Sequence, residues 1–141
     1  MNSANKKNAY QKTLKTYKNT EILTANKEAI LLLLYEGGVR FLKQAIQACE
    51  KKDISEKSRL IGRVQDIVNE LRATLNHKEG GDLAASLESL YDFVTERLIE
   101  ATKENSVEKL NEALKILMTL HEAWQQAVAS LKTDNKVSEN R

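Results

Sequence analysis

Four stretches of this chain repeat their apolar residues at the helical period, and no proline interrupts any of them. That feature sets most of the fold, because proline removes a hydrogen-bond donor from a helix and clashes with the preceding turn. The clearest run is Leu60, Val64, Ile67, Val68, Leu71 and Leu75. The next is Leu83, Leu87, Leu90, Tyr91, Val94 and Leu98, and the last is Leu110, Leu114, Leu117, Leu120, Trp124, Val128 and Leu131. In each, a spacing of three and four places the set on one face of an α-helix.

The breaks between stretches carry helix-start signals. The first segment runs from about Lys27 to Lys52 and meets Asp53, an N-cap residue with Glu56 three positions on to complete a capping box. The second runs to about Lys78, where Gly80-Gly81 stop it and Asp82 is placed to cap the third. The third reaches about Glu104; Asn105, with Glu108 behind it, starts a fourth that ends near Lys132. Helices of about 35–40 Å joined by short loops pack antiparallel. The expectation is an all-α protein, an antiparallel up-down four-helix bundle with a short N-terminal helix or arm. Residues 1–20 form a flexible basic arm, with a short helix over Asn8 to Tyr17; residues 21–132 form the bundle, and 133–141 a disordered polar tail.

Charge bounds the partners. The arm holds Lys6, Lys7, Lys12, Lys15 and Lys18 and no acid, so the chain's net +2 conceals a mildly acidic body. A basic arm could touch nucleic acid, a membrane or an acidic partner, but solvated chain ends are the ordinary case. The arm has no arginine and the body no matching basic face, which argues against nucleic acid. Cys49 is the single cysteine, so there is neither an internal disulfide nor a second thiol for a metal. No secretory h-region opens the chain, and the longest apolar run, Ala29 to Tyr35, is far short of a membrane span. A cytoplasmic protein without membrane insertion is expected.

The first long helix has too much apolar surface for a simple bundle. At helical steps, Ile30, Leu34, Phe41 and Ala45 fall on one side, and Leu32, Tyr35, Val39, Leu42 and Ile46 on an adjoining one. Together they make an arc about 200° wide, against a little over ~100° for an ordinary amphipathic helix. Either this helix is the most central of four, or its surplus is covered by the N-terminal segment or by a partner. The surplus side, Leu32, Tyr35, Val39 and Leu42, is the expected docking surface. Gly37-Gly38 within the same helix lower its stability and call for a close approach by another backbone or a mild kink.

Catalytic constellations are missing. His77 and His121 lack metal-ligand spacing, and the positions three before them are Thr74 and Met118, not the glutamates of a di-iron bundle. No glycine loop suited to phosphate occurs. Cys49 on an apolar helix reads as a small core residue, and Asp92 and Glu96 as solvated charges one turn apart. The chain reads as a non-enzyme with no cofactor and no metal.

Three stretches, taken in order, resemble the FliS family of flagellar export chaperones. They are Asn8-Ala9-Tyr10-Gln11, then Leu33-Leu34-Tyr35-Glu36-Gly37-Gly38-Val39-Arg40-Phe41-Leu42, then Gly80-Gly81-Asp82-Leu83 with Leu87, Leu90-Tyr91-Asp92-Phe93 and Arg97-Leu98-Ile99-Glu100-Ala101. Trp124 stands where the family has a tryptophan, while Lys27, Phe93 and Glu96 depart from its pattern. The resemblance implies a bundle that binds the disordered C-terminal segment of flagellin, prevents premature polymerisation and aids delivery to the type III export apparatus. It also implies that the N-terminal motif lies near a groove, which adds Ala9 and Tyr10 to the flagellin-binding set of Leu32, Tyr35, Val39 and Leu42. Residues 1–18 are expected to cover the groove in part and move aside for flagellin. The expected partners are thus the flagellin C-terminal segment and the flagellar export gate, with the chaperone itself a monomer or weak dimer. A structural bundle that self-associates through its wide apolar face is the alternative.

Overall fold

The computed structural model describes residues 23–139, with side chains from 27 to 133, and places four helices among them: α1 (Leu23–Glu50), α2 (Ile54–Ala73), α3 (His77–Glu104) and α4 (Val107–Glu139). The chain divides into two units, Met1–Leu31 and Leu32–Arg141. Of the first, the described part is the opening of α1, from Leu23 to Leu31. The second holds the rest of α1 and the other three helices, and makes the all-α bundle the sequence called for.

Side-chain pairings fix the helix directions. Tyr35 meets Tyr91 and Cys49 meets Asn105, each pair 56 residues apart, so α1 and α3 run parallel in constant register. Lys57 reaches the end of α3 at Ala101, whereas Arg72 pairs with Asp92 nearer its start, which makes α2 antiparallel to α3. Tyr35 stacks on His121, and Gly38 faces Leu117. The larger number on α4 meets the smaller on α1, so α4 is antiparallel to α1. The up-down topology follows.

Local chemistry explains most of the helix ends. α1 stops in a left-handed residue, Lys52 (φ 58°), with Lys52 N–H donating to Cys49 O (3.1 Å) and Asp53 N–H to Ala48 O (2.9 Å). This is the paired bonding of a Schellman motif, without its usual glycine. Asp53 then caps α2 by accepting from the Glu56 N–H at 3.2 Å, as expected. The other half of the expected capping box does not form, because the Glu56 carboxylate turns to Arg59 and the Asp53 N–H is already taken by Ala48.

Four expected boundaries move. α2 ends at Ala73 rather than near Lys78, and Asn76, not Asp82, provides the cap by accepting from the Glu79 N–H at 3.1 Å. A single helical turn follows, and Gly81 (φ 50°, ψ −122°) breaks it in a conformation only glycine adopts readily. The glycine pair thus interrupts the chain as expected, but inside α3 and not ahead of it. Asn105 closes α3 in the left-handed region (φ 49°), and Ser106 Oγ caps α4 by accepting from the Lys109 N–H at 3.2 Å. An asparagine expected to begin one helix ends the one before it. Finally, α4 continues to Glu139, past the expected stop at Lys132, since neither proline nor glycine stands in the way.

The core is aliphatic with a tyrosine layer. Leu42, Leu60, Val64, Val68, Leu71, Val94, Leu98, Leu110 and Leu117 are enclosed, together with Tyr35 and Tyr91. Not every residue of the expected apolar faces is inside: Leu83 is 62% exposed and Leu131 46% exposed. Leu83 precedes the first buried residue of α3 and Leu131 follows the last one of α4 among the described residues, so both lie at the ends of the packed faces.

Candidate functional site

The wide apolar arc of α1 exists, and the bundle encloses most of it. Tyr35, Gly37, Gly38, Leu42, Ala45, Ile46, Ala48 and Cys49 are buried, spreading over roughly half the helix circumference at 100° per residue. The glycine pair makes this possible. A Cβ added at Gly37 would lie 3.4 Å from Ile67 Cδ1, and one at Gly38 would lie 3.4 Å from Ile67 Cγ2 and 3.5 Å from Leu117 Cδ1. Side chains of α2 and α4 settle into the saddle; the close approach is by side chains and not by backbone.

The expected docking residues therefore separate into two pairs. Tyr35 and Leu42, both 0% exposed, are core residues, and the expectation that they form open surface is corrected. Leu32 and Val39 stand about 40–60° further round, at 100° per residue, and remain half-buried on the rim. Ala9 and Tyr10 lie outside the described residues, as does the basic arm.

Beside Val39 the surface opens into a groove of about 820 Å³ between α1 and α4. Val39 and Lys43 form one wall; Leu114, Lys115, Met118, His121 and Glu122 form the other, with Asn111 and Gln125 at its ends. The α4 positions recur every three or four residues, a second stripe beside the core stripe of Leu110, Ala113, Leu117 and Val128. Met118 is 45% exposed, a large apolar side chain left facing water. Lys43 and Lys115 stand toward one end of the groove and Glu122 toward the other, so the floor is apolar and the rim charged.

Under that groove lies a polar layer. His121, part of the wall, stacks on the Tyr35 ring at 6.3 Å between centroids and 13° between planes. The Tyr35 hydroxyl bonds the Tyr91 hydroxyl at 2.5 Å, and the half-buried Trp124 indole lies beside the pair. Burial raises the Tyr35 pKa, while the neighbouring Tyr91 hydroxyl and Trp124 indole pull the other way. Burial, reinforced by the bond to Tyr35, pushes the Tyr91 pKa well above the ordinary tyrosine range. Both phenols therefore stay neutral and act as fixed hydrogen-bonding groups.

A second hollow, of about 560 Å³, lies between α3 and α4, lined by Ser86, Ser89, Leu90, Phe93 and Ile116. Sequence reasoning assigned Leu90 to the core and passed over Phe93. The signal was present: Leu83, Ser86, Leu90 and Phe93 form a stripe offset by one position from the core stripe of Ala84, Leu87, Tyr91, Val94 and Leu98. Arg97 lies 4.8 Å from the Phe93 ring centre and bonds Glu112 at 3.4 Å, and Lys109 pairs with Glu100 at 2.7 Å, bracing α3 to α4 beside the hollow. Hydrogen bonding from Lys109 holds the Glu100 carboxyl below its usual range.

Among the described residues no group of three His, Cys, Asp or Glu side chains gathers as metal ligands. The histidines are engaged elsewhere, His77 with Glu88 at 2.7 Å and His121 on Tyr35. No described helix is long and apolar enough to cross a membrane. The arrangement is suited to holding an apolar chain segment on the bundle surface.

The chain is similar to known proteins over most of its length. The family described as "Flagellar protein FliS" matches residues 7–131. Flagellar secretion chaperone FliSB of Pseudomonas aeruginosa is 34% identical over 117 residues, covering 80% of this chain and 93% of its own. Flagellar secretion chaperone FliS of Bacillus subtilis is 32% identical over 126 residues, 89% of this chain and 93% of its own. That of Vibrio cholerae is 29% identical over 118 residues, 81% and 87% respectively.

Proposed function

The chain belongs to the FliS family of flagellar proteins, and from that premise we propose that it is a cytoplasmic, non-enzymatic secretion chaperone that holds the disordered C-terminal segment of flagellin and delivers it to the export apparatus. The observation that carries this reading is the open groove between α1 and α4, with exposed Met118 on a wall otherwise built like a helix-packing surface. An amphipathic segment would lay its apolar face on Val39, Leu114 and Met118 and leave its polar face to water, which is helix-in-groove recognition.

Magnitudes favour a long guest. Ordering a residue costs about 1–2 kcal/mol of backbone entropy. At about 25 cal/mol per Å², balancing that loss takes roughly 40–80 Å² of apolar burial per ordered residue. One shallow groove cannot supply this for many residues unless the segment extends along the bundle. The hollow at Leu90, Phe93 and Ile116 is a natural second station.

Titration calorimetry with a synthetic flagellin C-terminal peptide tests the proposal. Binding is expected, with Met118→Glu weakening it tenfold or more while leaving the helix content unchanged. Absence of binding, together with a stable dimer in light scattering, would replace the proposal with the self-associating bundle.

A further inference from the structure

The Lys57 side chain is 1% exposed at the start of α2, enclosed as completely as the leucines around it. Its ammonium donates to the Ala101 carbonyl at 3.1 Å and to Asn105 Oδ1 at 3.0 Å, so its partners among the described residues are neutral oxygens and not a carboxylate. Those oxygens belong to the C-terminal end of α3, where the helix dipole places partial negative charge. The same Asn105 oxygen accepts from the Cys49 thiol at 3.3 Å, and Asn105 Nδ2 donates to the Cys49 carbonyl at 3.5 Å. One asparagine, held in the left-handed region at the close of α3, thereby joins the end of α1, the start of α2 and the end of α3.

A buried cation is a poor source of stability. Removing it from water is expensive, and apolar residues of similar volume are often as good or better. The best-attested use of such groups is to make one register of an apolar assembly better than its neighbours. The bundle has the corresponding problem, since a leucine- and valine-rich core can slide by a helical repeat and still bury its stripes. Two polar layers stand against that slide. Cys49 with Asn105 and Tyr35 with Tyr91 share the offset of 56 residues. They lie two heptads apart along the helices, about 21 Å at 1.5 Å per residue.

We propose that Lys57 is a register lock: its buried ammonium, seated on the end of α3, contributes to the uniqueness of the bundle and not to its stability. Replacement by an apolar side chain leaves no orphan behind. The Ala101 carbonyl keeps its bond from the Asn105 N–H at 3.1 Å, and Asn105 Oδ1 keeps the Cys49 thiol. In a slipped register, by contrast, the native lysine would be buried against apolar walls with no acceptor.

The experiment compares the full chain with Lys57→Met by thermal unfolding and amide NMR. The expected result is a melting temperature within a few degrees of the parent or above it. Amide signals of α2 and the end of α3 should be doubled or broadened, with hydrogen exchange at Asn105 and Ser106 at least tenfold faster. A second variant, Asn105→Gly, keeps the left-handed backbone but strips the lysine of a partner. It should melt lower than the parent, and adding Lys57→Met to it should restore part of the loss. A single sharp set of signals with parental exchange in Lys57→Met would overturn the proposal. So would a large fall in its melting temperature or failure to fold, since either makes Lys57 a stabilising residue.

Discussion

Replacing Tyr91 by phenylalanine removes one hydroxyl from a buried pair whose oxygens are 2.5 Å apart. The shape of the core is unchanged, so the cost is that of the bond alone and of the group left without it. The Tyr35 hydroxyl is then left without that partner. Leaving a buried polar group unpaired costs about 1–3 kcal/mol, and a cost of about 1–2 kcal/mol is expected here. Tyr35→Phe removes the other half of the same bond and leaves the Tyr91 hydroxyl unpaired, so a similar loss is expected. With both tyrosines replaced no hydroxyl is left unpaired, and the double variant should be no less stable than either single variant. For a chain of this length, 1 kcal/mol corresponds to about 3–5 °C in Tm. Urea unfolding followed by circular dichroism is the assay, since fluorescence would respond to Trp124 directly. Additive losses in the double variant would refute the pairing.

Two further expectations rest on single features. Gly62 lies exposed in mid-α2, and a Cβ there meets nothing within 4 Å, so Gly62→Ala should raise the urea midpoint by the equivalent of about 0.5–1 kcal/mol. Gly81→Ala, at φ +50°, should instead cost about 1–3 kcal/mol, and a neutral result would mean that the break in α3 relaxes freely. The third concerns alkaline pH. Both tyrosines hold their protons more tightly folded than unfolded, so their contribution to stability is constant below the unfolded value near 10 and falls as pH rises beyond it. In an absorbance titration the phenolate signals of Tyr35 and Tyr91 should emerge only as the helical dichroism is lost; their ionising near pH 10 with the helices intact would contradict the burial argument.

The helices were legible because their stripes repeat within one segment, and the Asp53 cap because its acceptor and donor are three residues apart. What the sequence hid depends on distant neighbours. Periodicity measures how wide the α1 arc is but not which part of it α2 and α4 cover, so Tyr35 and Leu42 read as surface until Ile67 and Leu117 were seen in the glycine saddle. Asn105 fits either end of a helix by composition, and only its left-handed backbone decides between them. The groove is written half in α1 and half in a second stripe of α4, which counting one face per helix overlooks. Lys57 is the extreme case, since nothing near it in sequence explains its burial; the oxygens that do are 44 and 48 residues away.

Tyr35 lies near the beginning of the chain, and the side chains that enclose it, His121 and Trp124, lie near its end. During synthesis at about 5–20 residues per second, the apolar flank of α1 waits some 5–20 s for α4 to arrive. Throughout that interval the nascent chain displays an apolar surface that only its own last helix will cover. Truncations within α4 should therefore be lost to aggregation in the growing cell, whereas those confined to the last polar turns should be tolerated.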